Sequence, residues 1–165
     1  MLVALAVGSC SNPDDDPPPT SATTTSSPKS EVEAAYLAYR KMVRRLLESP
    51  DPEDEDLAKR STDENFDFLV EQLSSLDAAG RALRFGPDYR FDVSTVMVDG
   101  STATVRDCTV DDAQTIEIGS GAVVSEGTTT QLLEAALVFE SGRWRVSSID
   151  RLGTWDGAVR CDEQP

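Results

Sequence analysis

The feature that most restricts the fold is a change in the spacing of apolar residues between Gly80 and Pro87. Before it, Val32, Ala35, Tyr36, Tyr39, Val43, Leu46 and Leu47 recur every three or four residues, which places them on one face of a helix. Ser30 and Glu33 form a capping box at its start, and Ser49-Pro50-Asp51-Pro52 ends it. A short acidic helix is expected around residues 53–59. Phe66, Leu69, Val70, Leu73 and Leu76 then mark a helix over about 62–79, with Gly80 as its stop.

After Pro87 the period falls to two. Residues 89–98 read as a strand, Asp99-Gly100 as a hairpin turn, and residues 101–108 as the returning strand. Residues 114–118 and 123–125 form a small hairpin around Gly119-Ser120-Gly121, and 129–140 and 143–152 are two further strands joined at Ser141-Gly142. Helices first and antiparallel strands afterwards make an α+β domain, with the N-terminal helices packed on a strongly curved sheet, a cone-shaped roll spanning residues 30–165.

The other two segments are of different character. Residues 1–10 read as the remnant of a secretory signal: Leu2–Val7 are apolar, Gly8-Ser9 are small, and ten residues fall short of the roughly 20 that a bilayer requires. Val7-Gly8-Ser9-Cys10 resembles a bacterial lipobox, which implies diacylglyceryl attachment at the Cys10 thiol and membrane binding through acyl chains. The plainer alternative is an apolar tail beside an incidental cysteine. No Lys or Arg precedes Lys29, whereas a signal begins with a basic stretch, so either the translation start is expected upstream of Met1 or the leader has been shortened. Residues 11–29, rich in Pro, Ser, Thr and Asp, bury nothing and act as a linker roughly 25–60 Å in reach. The expected address is the outer face of the cytoplasmic membrane.

Composition narrows the chemistry. The chain carries 30 Asp and Glu against 15 Lys and Arg, which repels phosphate backbones and argues against nucleic-acid partners. It contains no histidine, so the Ser/His and Cys/His nucleophile pairs and the commonest metal ligand are missing. No cofactor and no metal site is expected; the acidic run Glu53–Asp56 lacks the spacing of a calcium loop and suits a solvated helix start.

Of three cysteines, Cys108 and Cys161 remain once Cys10 is set aside. In an exported chain two leftover cysteines pair, and closing about 53 residues stabilises by roughly 4 kcal/mol in the loop-entropy model. The rival is a free thiol at Cys108.

The hairpin Asp99-Gly100-Ser101-Thr102-Ala103-Thr104-Val105 and the strand Ser141-Gly142-Arg143-Trp144-Arg145-Val146 resemble those of the nuclear transport factor 2-like superfamily, more narrowly its small lipid-anchored actinobacterial members. The resemblance implies the cystatin-like α+β cone and, by analogy, a homodimer through the outer face of the sheet. The superfamily contains isomerases, cyclases, dehydratases and non-enzymatic binding domains.

Candidate site residues follow from strand alternation. Trp144, Val146, Ser148, Asp150 and Leu152 share one face of the last strand, and Ala103, Val105 and Asp107 align on another. An acid among apolar neighbours is held protonated more readily, so Asp150 and Asp107 are the candidate general bases or acids, with Tyr36, Tyr39 or Tyr89 as oxyanion donor. The competing expectation pairs Asp150 with Arg90 or Arg106 and leaves Asp107 at a sheet edge. Tyr36, Tyr39, Phe66, Phe91, Phe139 and Trp144 are the candidate lining of an apolar pocket between helices and sheet, or else its filling. Two functions are thus in view: a non-enzymatic surface module binding a small apolar ligand or an envelope protein, and a carboxylate-dependent isomerase, cyclase or hydratase.

Overall fold

The computed structural model describes residues 27–163. The signal, the lipobox with Cys10, and all of the linker except Ser27–Lys29 lie outside the described residues. Helix α1 spans Pro28–Glu48, α2 Asp56–Arg60 and α3 Asp63–Ala78; strands follow as β1 Arg81–Arg84, β2 Arg90–Asp99, β3 Thr102–Asp111, β4 Gln114–Glu117, β5 Val123–Ser125, β6 Thr129–Glu140 and β7 Arg143–Asp156. A 3-10 turn at Cys161–Glu163 closes the described chain.

The cap of α1 is Ser27, not Ser30. Its side chain accepts the Ser30 N–H, and Pro28 takes the first helical position, where a missing N–H costs nothing. Along α1, Val32, Tyr36, Tyr39, Met42 and Leu46 are buried at the predicted three- and four-residue spacing. They meet Leu57 of α2, Leu69 and Leu73 of α3, and Ala103, Val105, Ala135, Leu137 and Val146 of the sheet. Burying each of these leucines contributes roughly 1.5–3 kcal/mol, and this packing holds the helices where they are.

The main sheet is antiparallel in the order β2-β3-β6-β7. Two-residue loops join its hairpins. Ser141 and Gly142 both have positive φ (52° and 78°), the twist a tight hairpin favours. Three positions break the ladder. Ser94 in β2, and Ser147 and Leu152 in β7, have no partner across the register, so each strand gains a residue and bends there. These bulges curl the sheet around α1 and α3.

A second, three-stranded sheet runs β1-β4-β5. Its hairpin β4–β5 is the small one expected; β1 is not foreseen, because Arg81-Ala82-Leu83-Arg84 is too short to show a period. Residue Ala82 buries, Leu83 packs against the core, and β4 pairs along the whole of β1. From β1 the chain returns through Gly86, where the N–H groups of Gly86 and Asp88 both donate to the Asp112 carboxylate (3.0 and 2.8 Å). A Cβ at Gly86 would overlap that carboxylate, so a larger residue there would have to displace the Asp112 side chain from these two bonds.

The last strand runs four residues beyond the expected end at Leu152, because Thr129–Leu132 of β6 continue to pair with Gly153–Asp156. Beyond it, the Gly157 N–H donates to the Thr128 carbonyl and the Thr130 hydroxyl joins Gly157 and Val159. A Cys108–Cys161 disulfide then ties this tail to β3.

Candidate functional site

On β3 the alternation Ala103, Val105, Asp107, Thr109 and Asp111 faces the helices. Asp107 is fully buried there, and α1 delivers its counter-charge. Arg40 lies four residues after Tyr36, so both side chains project from the same face of α1. The Arg40 Nη1 donates to Asp107 Oδ2 (2.8 Å) and to the Tyr36 hydroxyl (3.1 Å), and its Nη2 donates to the Thr109 hydroxyl (3.0 Å). The Tyr36 hydroxyl donates to Asp107 Oδ2, and the Thr109 hydroxyl to Oδ1 at 2.6 Å. The guanidinium also stacks over the Phe91 ring, 4.8 Å from its centroid. A carboxylate with one cation and two hydroxyl donors around it is satisfied, and solvent does not reach it.

This arrangement corrects the sequence reading of Asp107. It is not an unpaired acid in apolar surroundings, nor does it sit at a sheet edge; it anchors the sheet to α1. Arg40, which the sequence reading passed over, carried one signal. It interrupts the apolar stripe between Tyr36 and Val43, where a cation needs a buried partner.

Asp150 does not point inward. The bulge at Ser147 shifts β7 by one residue against β6, so Ile149 rather than Asp150 lies opposite buried Ala135, and Asp150 is exposed opposite Glu134. Its expected partners are engaged elsewhere, Arg106 with Glu134 (2.6 Å) and Arg90 with the Asp88 carbonyl (3.1 Å).

A cleft of about 540 Å³ opens between α1, α3, β1 and the inner face of the sheet. Val43, Leu69, Leu83, Phe85, Leu133 and Ile149 supply apolar walls, and Arg40 and Tyr89 also line it. Glu64 and Phe68 of α3 stand at its exposed side, Phe68 with 60% of its surface open. Of the six aromatic residues predicted to line a pocket, Tyr39 does so. Tyr36 and Phe66 belong to the core, and Phe91 lies beneath Arg40. Phe139 and Trp144 pack with tilted rings, centroids 5.3 Å apart, at the β6–β7 hairpin, outside the cleft. They pair at Phe139↔Trp144 in the register; Trp144 packs against the edge of the core and Phe139 is exposed. Of the predicted oxyanion donors that line the cleft, Tyr89 is the one whose hydroxyl donates to no acceptor among the described residues; it receives a long contact from Arg40 Nη2 at 3.5 Å.

The buried phenols give the site a pH signature. Burial is the main cause that raises both: Tyr36 goes well above the ordinary tyrosine range, and Tyr39 is pushed up to about 12 from 10.0, with the Tyr39 hydroxyl donating to Asn65 Oδ1 (3.0 Å). Below pH 10 both states hold these protons and stability does not change on their account. Between about pH 10 and 12 the unfolded chain releases the Tyr39 proton and the folded chain keeps it, so stability falls as pH rises. The loss from Tyr39 reaches about 3 kcal/mol. Urea midpoints at pH 9 and pH 11.5 are expected to converge in Tyr39→Phe relative to the parent; an equal drop in both proteins contradicts this.

The acidic run at Glu53–Asp56 behaves as a solvated helix start: Arg45 bonds Asp54 (2.8 Å), and Lys59 pairs with Glu55 (3.0 Å). Among the described residues no group of His, Cys, Asp or Glu has the arrangement of a metal site. Nor, among them, is any helix long and apolar enough to cross a membrane.

Comparison with known proteins places the fold. No protein-family model matches the chain. No curated protein matches it either. Solved structures do. The intermembrane space region of the chloroplast protein ARC6 superposes with a TM-score of 0.63 at 13% identity, covering 75% of this chain and 95% of that one. The Kfla4162 protein from Kribbella flavida follows at 0.53 and 12% identity, covering 76% and 91%. An ntf2-like protein with a cystatin-like fold from Novosphingobium aromaticivorans aligns more loosely, at 0.44 and 20% identity, over 73% and 80%. The α+β arrangement of helices on a curved antiparallel sheet is thus a known one, here with its two sheets not closed into a barrel.

Proposed function

We propose that the chain is a lipid-anchored module of the nuclear transport factor 2-like type, held at the outer face of the cytoplasmic membrane through Cys10, whose α–β cleft binds a small, largely apolar ligand without converting it. The observation that carries the reading is the state of Asp107. Of the two acids that the sequence offers for proton transfer, Asp150 lies on the outer face, and Asp107 is shut away from solvent and bound by Arg40, Tyr36 and Thr109. A general base must reach its substrate's proton within hydrogen-bonding distance, and this one has no open approach. The walls of the cleft, by contrast, are accessible and of the size that small-molecule sites have. Export is supported by the Cys108–Cys161 bridge, since such bonds persist in oxidising compartments.

A carboxylate-dependent isomerase, cyclase or hydratase is the second reading, and one observation favours it. Asp111 shares the inward face of β3 and does line the cleft, with Oδ1 accepting the Ala113 N–H (3.0 Å). In that reading the working acid moves from Asp107 or Asp150 to Asp111.

The test is mass spectrometry of the full chain expressed in a bacterium that processes lipoproteins. A diacylglyceryl mass on the Cys10 peptide, lost together with membrane attachment in Cys10→Ala, is the expected result; an unmodified, freely soluble chain overturns the anchor. Under native ionisation, a co-purifying small molecule retained unchanged by Asp111→Asn supports binding. A molecule that accumulates only in Asp111→Asn supports conversion.

A further inference from the structure

We infer that the cleft selects a positively charged amphiphile, an amine or quaternary ammonium on an apolar body, over an anionic one. This rests on the reading of the cleft as a binding site, and goes beyond it to the charge of the occupant.

The argument is a charge balance over the lining. Arg40 is the one cation on the walls, and Asp107 directly behind it cancels its charge at 2.8 Å. Its Nη1 and Nη2 groups are spent on Asp107, Tyr36, Thr109 and Tyr89. The next cation along α1, Arg44, stacks over Phe85 and Tyr89 from outside the lining and is paired with Glu48 (3.1 Å). Against these stand two carboxylates on the walls, Glu64 from α3 and Asp111 from β3. Neither has a cationic partner among the described residues, and Asp111 gives one oxygen to the Ala113 N–H. The cleft therefore carries uncompensated negative charge above an apolar and aromatic lining, inside a chain of net charge −15. An anionic head group would be repelled on entry and find the Arg40 donors already taken. A cationic one meets two carboxylates that lack a cationic partner among the described residues and the exposed Phe68 ring, whose face attracts cations.

The experiment is calorimetric titration of the full chain with three probes of equal chain length below their micellar concentrations: dodecyltrimethylammonium, dodecanol and dodecanoate. The cation is expected to bind about tenfold or more tightly than the alcohol, and the carboxylate more weakly than either, with the spread narrowing at high salt. The double variant Glu64→Gln/Asp111→Asn brings the cation down to the affinity of the alcohol and leaves the alcohol unchanged. Asp150→Asn, on the outer face, leaves the preference intact, which separates the cleft from general attraction to an acidic surface. Alcohol and carboxylate binding as well as the cation, or a cation preference that survives the double variant, overturns this inference while sparing the binding reading. Failure of all three probes to bind overturns both.

Discussion

Arg40→Met is expected to destabilise the protein by about 3–5 kcal/mol, the largest effect of any single substitution proposed for this chain. Methionine replaces the aliphatic stem of the arginine, so the loss falls on the guanidinium, its stacking over Phe91 included. That group supplies Asp107 with its only cation among the described residues, 2.8 Å away, at a position where Arg40 is 7% exposed and Asp107 not at all. Tyr36 and Thr109 still donate to the carboxylate after the change, but two hydroxyls do not offset a desolvated charge. The double variant Arg40→Met/Asp107→Leu removes both charges and is expected to recover most of the loss, since an apolar pair of similar volume often matches a buried ion pair. Urea unfolding of parent, both single variants and the double completes the cycle. If Arg40→Met and the double variant unfold at the same midpoint, the pair is not what holds β3 to α1.

The second large effect is the loss of the disulfide. Cys161→Ser is expected to cost about 2–4 kcal/mol under oxidising conditions, chiefly by freeing the unfolded chain from a closed loop. The bridge spans 53 residues with Cα atoms 5.8 Å apart. Folded-state contacts of the tail do not depend on it alone: Gly157 and Val159 are also held by Thr128 and Thr130, so the tail's position should survive while the midpoint falls. A reductant should shift the parent to the midpoint of the variant and leave the variant where it is. A variant that melts with the oxidised parent contradicts the bridge.

The three helices and the three hairpins were legible in the chain because each rests on a local rule. Tyr36, Tyr39 and Leu46 repeat at helical spacing; Ser141-Gly142 accepts the positive φ its turn requires. The disulfide was legible from arithmetic on the cysteines, once export was expected from residues 1–10. What misled was the assumption of unbroken alternation. Asp150 was assigned inward by counting twos from Trp144, and the bulge at Ser147, which nothing in Val146-Ser147-Ser148 announces, reverses the count. Phe139 and Trp144 have the right face but sit at the β6–β7 hairpin, where Trp144 packs against the edge of the core and neither residue lines the cleft. β1 escaped because four residues carry no period and its partner β4 lies 30 residues on.

The amino-acid sequence by itself determined the order of elements, the acidic surface, the absence of histidine chemistry and the cysteines available to pair, because these are local or compositional properties. Only the tertiary structure decided which acid is spent and which is free. Arg40 and Asp107 are 67 residues apart and meet because α1 crosses β3. Glu64 and Asp111 share a cleft because α3 and β3 flank it. The charge a side chain presents is set by what packs against it, and that neighbour arrives from a distant part of the chain.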